Sequence, residues 1–300
     1  PDAISVYTVD GIDYLITANE GDSRDWNGYS NEIEVNFGKG KTSPTGKITA
    51  DNSGLTGKVT FFDTSDYDGL NNENDYLFGG RSSTIFKADE QSLQEIYTTG
   101  NDFEVKTAAY LPNNFNCSND DATIDDRSGK KGPEAEAVTI GQIEDKTFAF
   151  IGLERIGGIM VYDITNPEKT EFVNYINSRD FSTDIGGDDS PEGIHFIAGN
   201  DSITGKPQLV VAYEVSGTVG VYDLTLQKNS DQSGDDKTDN PSQEPTVEET
   251  NNSSNTNTNN KNHSVNTGDA SNIAITIISL ISTIVLITIL MKKDKVLAED

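Results

Sequence analysis

The feature that most constrains this chain is a repeated unit. Asp2-Ala3-Ile4-Ser5-Val6 and the seventeen positions after it align without a gap to Glu136-Ala137-Val138-Thr139-Ile140 and its continuation. Both copies close on a carboxylate 18 residues beyond the opening acid, at Glu20 and Glu154. A third copy opens at Glu192-Gly193-Ile194-His195-Phe196 and reaches Glu214 after 22 residues, with an insertion around Asp201–Lys206. Past that glutamate, Gly158-Ile159-Met160-Val161-Tyr162-Asp163-Ile164-Thr165 matches Thr218-Val219-Gly220-Val221-Tyr222-Asp223-Leu224-Thr225 at the same offset. Such a unit cannot bury its apolar faces alone and must stack on its neighbours.

The units read as strands. Short alternating runs (3–9, 14–18, 148–152, 159–164, 209–213, 218–224) are separated by Gly, Asn, Asp and Pro, and no sustained helical period precedes residue 228. Leu209–Tyr213 is apolar in succession, as a strand covered on both faces requires. An all-β fold follows, and about four strands per unit match the blades of a β-propeller. Phe78–Phe86 with Leu93–Thr98 resembles parts of another blade, giving about four in view, with a long insertion within residues 21–75. Residues 1–227 are therefore expected to be the C-terminal blades of a longer propeller.

Composition removes several functions. The chain has 50 acidic against 22 Lys and Arg residues, a net charge of −28. The segment after residue 227 holds 11 acidic and 6 basic residues, which leaves −23 on residues 1–227. A surface this acidic repels phosphate backbones and rules against nucleic-acid binding. The only cysteine is Cys117, so no internal disulfide forms, and two histidines preclude a multi-His metal centre.

The repeated acids have a predictable address. In an antiparallel pair the start of one strand adjoins the end of the next. Asp2 with Glu20, Glu136 with Glu154, and Glu192 with Glu214 are thus expected as neighbours at one channel mouth, with Asp22 close by. Their mutual repulsion calls for a counter-charge. Calcium suits an all-oxygen, His-poor site. Arg81, Arg127 and Arg155 are the alternative counter-ions, or contacts for an anion. A third reading has each acid accept backbone N–H groups at its strand end. The polar loops Glu20–Asp25 and Asn116–Lys131 are expected over the mouth, Cys117 gains no thiolate stabilisation there, and His195 is expected to be packed and hydrogen-bonded.

The C-terminal end reads as an anchor. Ile273–Met291 is 19 residues without a charge, and as a helix it spans roughly 28 Å, about a bilayer core. Lys292, Lys293 and Lys295 follow as a cytoplasmic basic tail (292–300), which places the globular part outside. Residues 228–272, rich in Asn, Ser, Thr and Asp, are expected to be a disordered linker. Within them Asn266-Thr267-Gly268 resembles a Gram-positive sortase signal, with Ser264-Val265 where Leu-Pro is usual. Anchoring to the cell wall through sortase, or to the plasma membrane, is expected. The opening Pro1-Asp2-Ala3, set against this ending, points to the C-terminal portion of a longer exported protein.

A set of motifs resembles the choice-of-anchor I family. They are Asp2-Ala3-Ile4 with Ala18-Asn19-Glu20-Gly21-Asp22, Gly79-Gly80-Arg81-Ser82, Asp125-Asp126-Arg127-Ser128 leading into Gly132-Pro133-Glu134-Ala135-Glu136-Ala137-Val138, Tyr175-Ile176-Asn177-Ser178-Arg179-Asp180, and Ser190-Pro191-Glu192-Gly193. The resemblance implies a bacterial surface propeller similar to the mesenchyme-specific cell-surface glycoprotein of biomineralising animals. Ala135 and Ala137 stand where the pattern expects Pro and Gly, which is tolerable only if Ala137 needs no positive φ. A surface binding module for an unknown extracellular ligand, with calcium at the mouth, is the leading expectation. Some relatives carry an alkaline-phosphatase label, so the alternative is a metal-dependent phosphatase or phosphodiesterase.

Overall fold

The computed structural model describes residues 1–65, 67–228 and 273–279. It is all-β apart from short helices. The hairpin of β1 (Ala3–Val9) and β2 (Ile12–Asn19) is followed by an insertion that carries β3 (Asp25–Trp26), β4 (Tyr29–Ser30), β5 (Glu32–Asn36), α1 (Ala50–Ser53) and β6 (Lys58–Phe62). The chain then returns through β7 (Ser82–Ala88) and β8 (Leu93–Thr98), which complete a sheet of order β1-β2-β7-β8. After helix α2 (Asp102–Tyr110), a second sheet runs in sequence through β9 (Ala135–Ile143), β10 (Lys146–Leu153), β11 (Ile159–Asp163) and β12 (Glu171–Ile176). A third comprises β13 (Pro191–Ile197), β14 (Gln208–Tyr213), β15 (Thr218–Lys228) and β16 (Ile273–Ser279).

The second sheet is covered on both faces, and β10 shows how. Successive strand residues point to opposite sides. Ala149 and Ile151 join the core shared with Tyr7, Ile16 and Ile85 of the first sheet. Phe148 and Phe150 join the core shared with Leu209, Val211 and Leu224 of the third. The uninterrupted apolar run of β10 follows from that double burial.

The first strands of the three sheets adjoin one another, with β1 and β13 both against β9. Ser5 donates its hydroxyl to the Val138 carbonyl at 2.9 Å. On the other side Gly141 leaves room for Phe196, since a Cβ at this position would lie 2.2 Å from that ring.

Two expectations change. The runs Phe78–Phe86 and Leu93–Thr98 are not part of a further blade: their strands, Ser82–Ala88 and Leu93–Thr98, form the outer half of the first sheet, so the described residues hold three four-stranded sheets rather than about four. The long insertion between β2 and β7 had separated that sheet's two halves in the sequence. Phe61-Phe62 lies in β6, paired with β5 over a small core of Val35, Phe37, Val59 and Phe61, and belongs to the insertion. Helix α2, nine residues long, is too short to show a period. Its buried Phe103 and Thr107, with Tyr162 donating to Asp102 at 2.7 Å, hold it against the second sheet.

Of the expected spanning segment 273–291, Ile273–Ser279 runs as the outer strand on β15, registered from Tyr222↔Ser279 to Lys228↔Ile273. Its β-branched residues suit a strand as readily as an apolar helix. Residues 280–291, most of the 228–272 linker and the Asn266-Thr267-Gly268 motif lie outside the described residues. Among the described residues no helix is long and apolar enough to cross a membrane.

Candidate functional site

The repeat brings strand ends together in each sheet. The Asp2 amide donates to the Ala18 carbonyl, that of Glu154 to Glu134, and that of Glu214 to Ser190, each at 2.8 Å. Because β9 sits between β1 and β13, Glu136 at its start stands amid the other acids. Burial, then the charges of Glu154, Glu192, Glu20 and Asp2, push its carboxyl up to about 9. One of its oxygens, Oε2, is buried without a hydrogen-bond partner. Glu154 is pushed up to about 7, chiefly by burial, and burial also raises Glu20. Five of the sequence-predicted acids therefore act on one another at a common place. Glu214 is exposed and does not figure among the charges acting on Glu136.

Beside Glu136 stands an acid that the repeat did not single out. Glu134 is fully buried, with φ +54°. Arg127 pairs with one of its oxygens; Lys131 Nζ at 2.9 Å and Arg155 Nε at 3.1 Å face the other. Burial alone would raise its pKa, but these three cations together hold the carboxyl below its ordinary range. The same Lys131 ammonium pairs with Glu20 and, at 2.6 Å, with the exposed Asp22. Arg155 also reaches Glu154 at 3.2 Å. Lys131 closes the polar loop Asn116–Lys131 and Glu134 lies inside a motif, but both stand outside the repeat. A signal did exist: Glu134 precedes the repeated acid by two residues, as Ser190 does in the third copy, and both adopt positive φ. The left-handed turn thus falls at Glu134, and Ala137 is not among the positive-φ residues.

The loop from Asn116 to Gly132 carries two of these cations, Arg127 and Lys131, and buried groups pin it. Arg179, fully buried, pairs through Nε with Asp189 at 3.2 Å. It donates to the carbonyls of Ser118 at 2.8 Å, Arg155 at 2.7 Å, Asp121 at 3.2 Å and Asp184 at 3.3 Å. Asn119 donates to Glu154 at 2.9 Å and accepts from Arg155 at 2.7 Å. Arg81 is a counter-ion to Glu104, at 2.7 Å, rather than to the repeated acids; it also donates to the carbonyls of Ser128 and Lys130. Cys117, within this loop, is buried, and desolvation pushes its thiol up to about 11. His195, expected to be packed, is exposed on β13 because its side of the strand faces away from the β9 contact made by Phe196.

Seven carboxylates (Asp2, Glu20, Asp22, Glu134, Glu136, Glu154, Glu192) thus share three side-chain cations (Arg127, Lys131, Arg155). The cations concentrate on Glu134, and the uncompensated charge falls on Glu136. Glu20, Glu134 and Glu154 each offer an oxygen within 4.8 Å of the others, a spacing open to a metal ion.

A pH dependence follows. Glu136 and Glu154 hold their protons more tightly folded than unfolded, where a glutamate titrates near ~4.3. Their contribution to stability is intact below that value and is lost as pH climbs through about 7 and about 9. Without added metal, the urea midpoint is expected to fall between about pH 5 and about pH 9, and Glu136→Gln to flatten the fall.

The model of the choice-of-anchor I domain matches residues 1–167, more than half the chain. Gigasin-3a of Magallana gigas is 29% identical over 168 residues, covering 50% of this chain and 57% of that protein. The mesenchyme-specific cell surface glycoprotein of Strongylocentrotus purpuratus is 26% identical over 209 residues, covering 57% of this chain and 26% of its own length. The chain spans less than two thirds of either relative. Arg127, Glu134, Glu136 and Glu154 all lie inside the matched region, and the chain belongs to the choice-of-anchor I family.

Proposed function

We propose that this protein is an extracellular cell-surface binding module, a β-propeller in architecture, whose strand-end carboxylates hold a divalent cation, calcium. The observation that carries the cation is Glu136, a carboxyl with a buried, unpartnered oxygen and its pKa driven up to about 9 by burial and surrounding acids. Its charge must be relieved by a proton or by a cation. An oxygen-only donor set of carboxylates suits calcium in an extracellular setting. Glu20 and Glu154, whose oxygens lie within 4.8 Å of each other and of Glu134, would supply inner donors together with the neighbouring Glu136, and Asp2 and Glu192 the surrounding field.

Three four-stranded sheets whose first strands lie side by side support the propeller reading. Family membership and the relative named for the cell surface support an outer-surface location. Anchoring there is supported by sequence alone, the charge-free run 273–291 and the lysines after it, since Ile273–Ser279 pairs with β15; Asn266-Thr267-Gly268 likewise supports attachment to a wall of Gram-positive type. The phosphatase reading draws less support. Arg127 and Arg155, which would steady a phosphoryl group, are both engaged by Glu134.

Calorimetric titration with calcium tests the cation. Saturable binding is expected, with the folded state stabilised by about 2.7 kcal/mol at a hundredfold excess over Kd. Glu136→Gln is expected to abolish the heat while leaving the fold intact. No binding at millimolar calcium, or binding indifferent to that substitution, would contradict the proposal.

A further inference from the structure

The protein's single tryptophan is spent on the surface. Trp26 is 61% exposed, although an indole gains as much from burial as any side chain. It sits at the tip of the β3–β4 hairpin, paired with Tyr29 across the turn Asn27-Gly28, where Gly28 supplies φ +91°. The two rings stack with centroids 5.6 Å apart and planes 30° from parallel. The hairpin is braced from below. Arg24 and Asn31 bond through both backbone and side chain at 3.1 and 2.8 Å, and the buried Asn31 amide donates to the Tyr67 hydroxyl at 3.2 Å. The Arg24 guanidinium lies 5.6 Å over the Tyr67 ring. The aromatic pair is therefore held in place rather than left to collapse.

We infer that Trp26 and Tyr29 form a carbohydrate-binding platform for an uncharged pyranose of a glycan chain. A sugar ring presents axial C–H groups on one face and hydroxyls around its rim. The first pack on an aromatic face, and the second exchange hydrogen bonds with carboxylates and amides. Exposed Asp25 and Asn27 provide those polar groups beside the rings. The Tyr29 ring backs the indole, whose outer face is the scale of one sugar unit, and the flanks are polar. A protein partner would ask instead for a broader apolar patch around its aromatic anchor. The −28 charge of the chain, with Asp25 next to the indole in the hairpin, turns away anionic glycans. This site lies outside the carboxylate cluster and does not depend on the cation.

Because Trp26 is the only indole, its fluorescence reports the site directly. Chitohexaose and cellohexaose serve as uncharged probes, with a hexameric polyuronate as the anionic control. Saturable change in emission is expected with at least one uncharged probe and none with the polyuronate. By calorimetry, Trp26→Ala should remove binding and Tyr29→Ala weaken it about tenfold, with the thermal midpoint unchanged. No saturable change with either uncharged hexamer, or binding that survives Trp26→Ala, overturns the inference. Calcium removal should leave binding intact, so failure here is separable from failure of the cation site.

Discussion

Replacing Arg179 by Ala is expected to be among the most destabilising single changes in the chain, at about 3–5 kcal/mol, because it leaves a buried carboxylate alone. Its partner Asp189 has no exposed side-chain surface, and burial already pushes that carboxyl up to about 6 despite the arginine. The guanidinium also satisfies four carbonyls from three separate stretches, at Ser118 and Asp121, at Arg155 and at Asp184. No other side chain offers five donors in a planar fork, so Arg179→Lys should recover only part of the loss. The double change Arg179→Met with Asp189→Leu removes both charges and should be less damaging than Arg179→Ala alone. Urea denaturation reads the stability, and trypsin cleavage at Arg127 or Lys130 reads release of the loop. A cost below about 1 kcal/mol, the range of an exposed pair, would show that the loop is held elsewhere.

The second large effect is a contrast between two glutamates two residues apart. Glu134→Gln should cost about 3–5 kcal/mol, since it breaks a buried pairing shared by Arg127, Lys131 and Arg155. Glu136→Gln should stabilise the calcium-free protein at pH ~9 by on the order of 1 kcal/mol once solvent screening is allowed for. The same chemical change thus acts with opposite sign. Glu134 carries the compensating contacts, whereas Glu136 meets burial and mainly like charges. Chemical denaturation of both variants at pH ~9 without metal measures the pair. Equal signs would mean that the cations are shared evenly across the cluster.

These contrasts mark what the sequence could disclose. The strand ends and the meeting of Asp2, Glu20, Glu136, Glu154 and Glu192 were legible because strand pairing turns equal spacing into a common address. Apolar succession marks Leu209–Tyr213 for burial on both faces, yet there Val210 is half-buried and Ala212 exposed; the strand covered on both faces is β10, whose run reads as one of the alternating ones. What stayed hidden depends on contacts with no period. Lys131 and Arg127 reach the acids from an irregular loop, and the pairing of β2 with β7 skips a whole insertion. Glu214 shares the repeat's spacing yet stands exposed, after a hairpin lengthened around Asp201–Lys206. Arg179 was visible as part of a motif, but only the fold shows it as the common partner of the loop and its surroundings.

The account turns on uncompensated charge at Glu136, and the carboxyl itself can be watched. With glutamate labelled at its side-chain carboxyl carbon, Glu136 assigned by comparison with Glu136→Gln, and pH titrated by NMR, the metal-free protein should show this resonance titrating near about 9. Saturating calcium should bring the midpoint down to or below the ordinary value near ~4.3. A Glu136 carboxyl that titrates in the ordinary range without metal, or one that calcium leaves unmoved, would contradict the account.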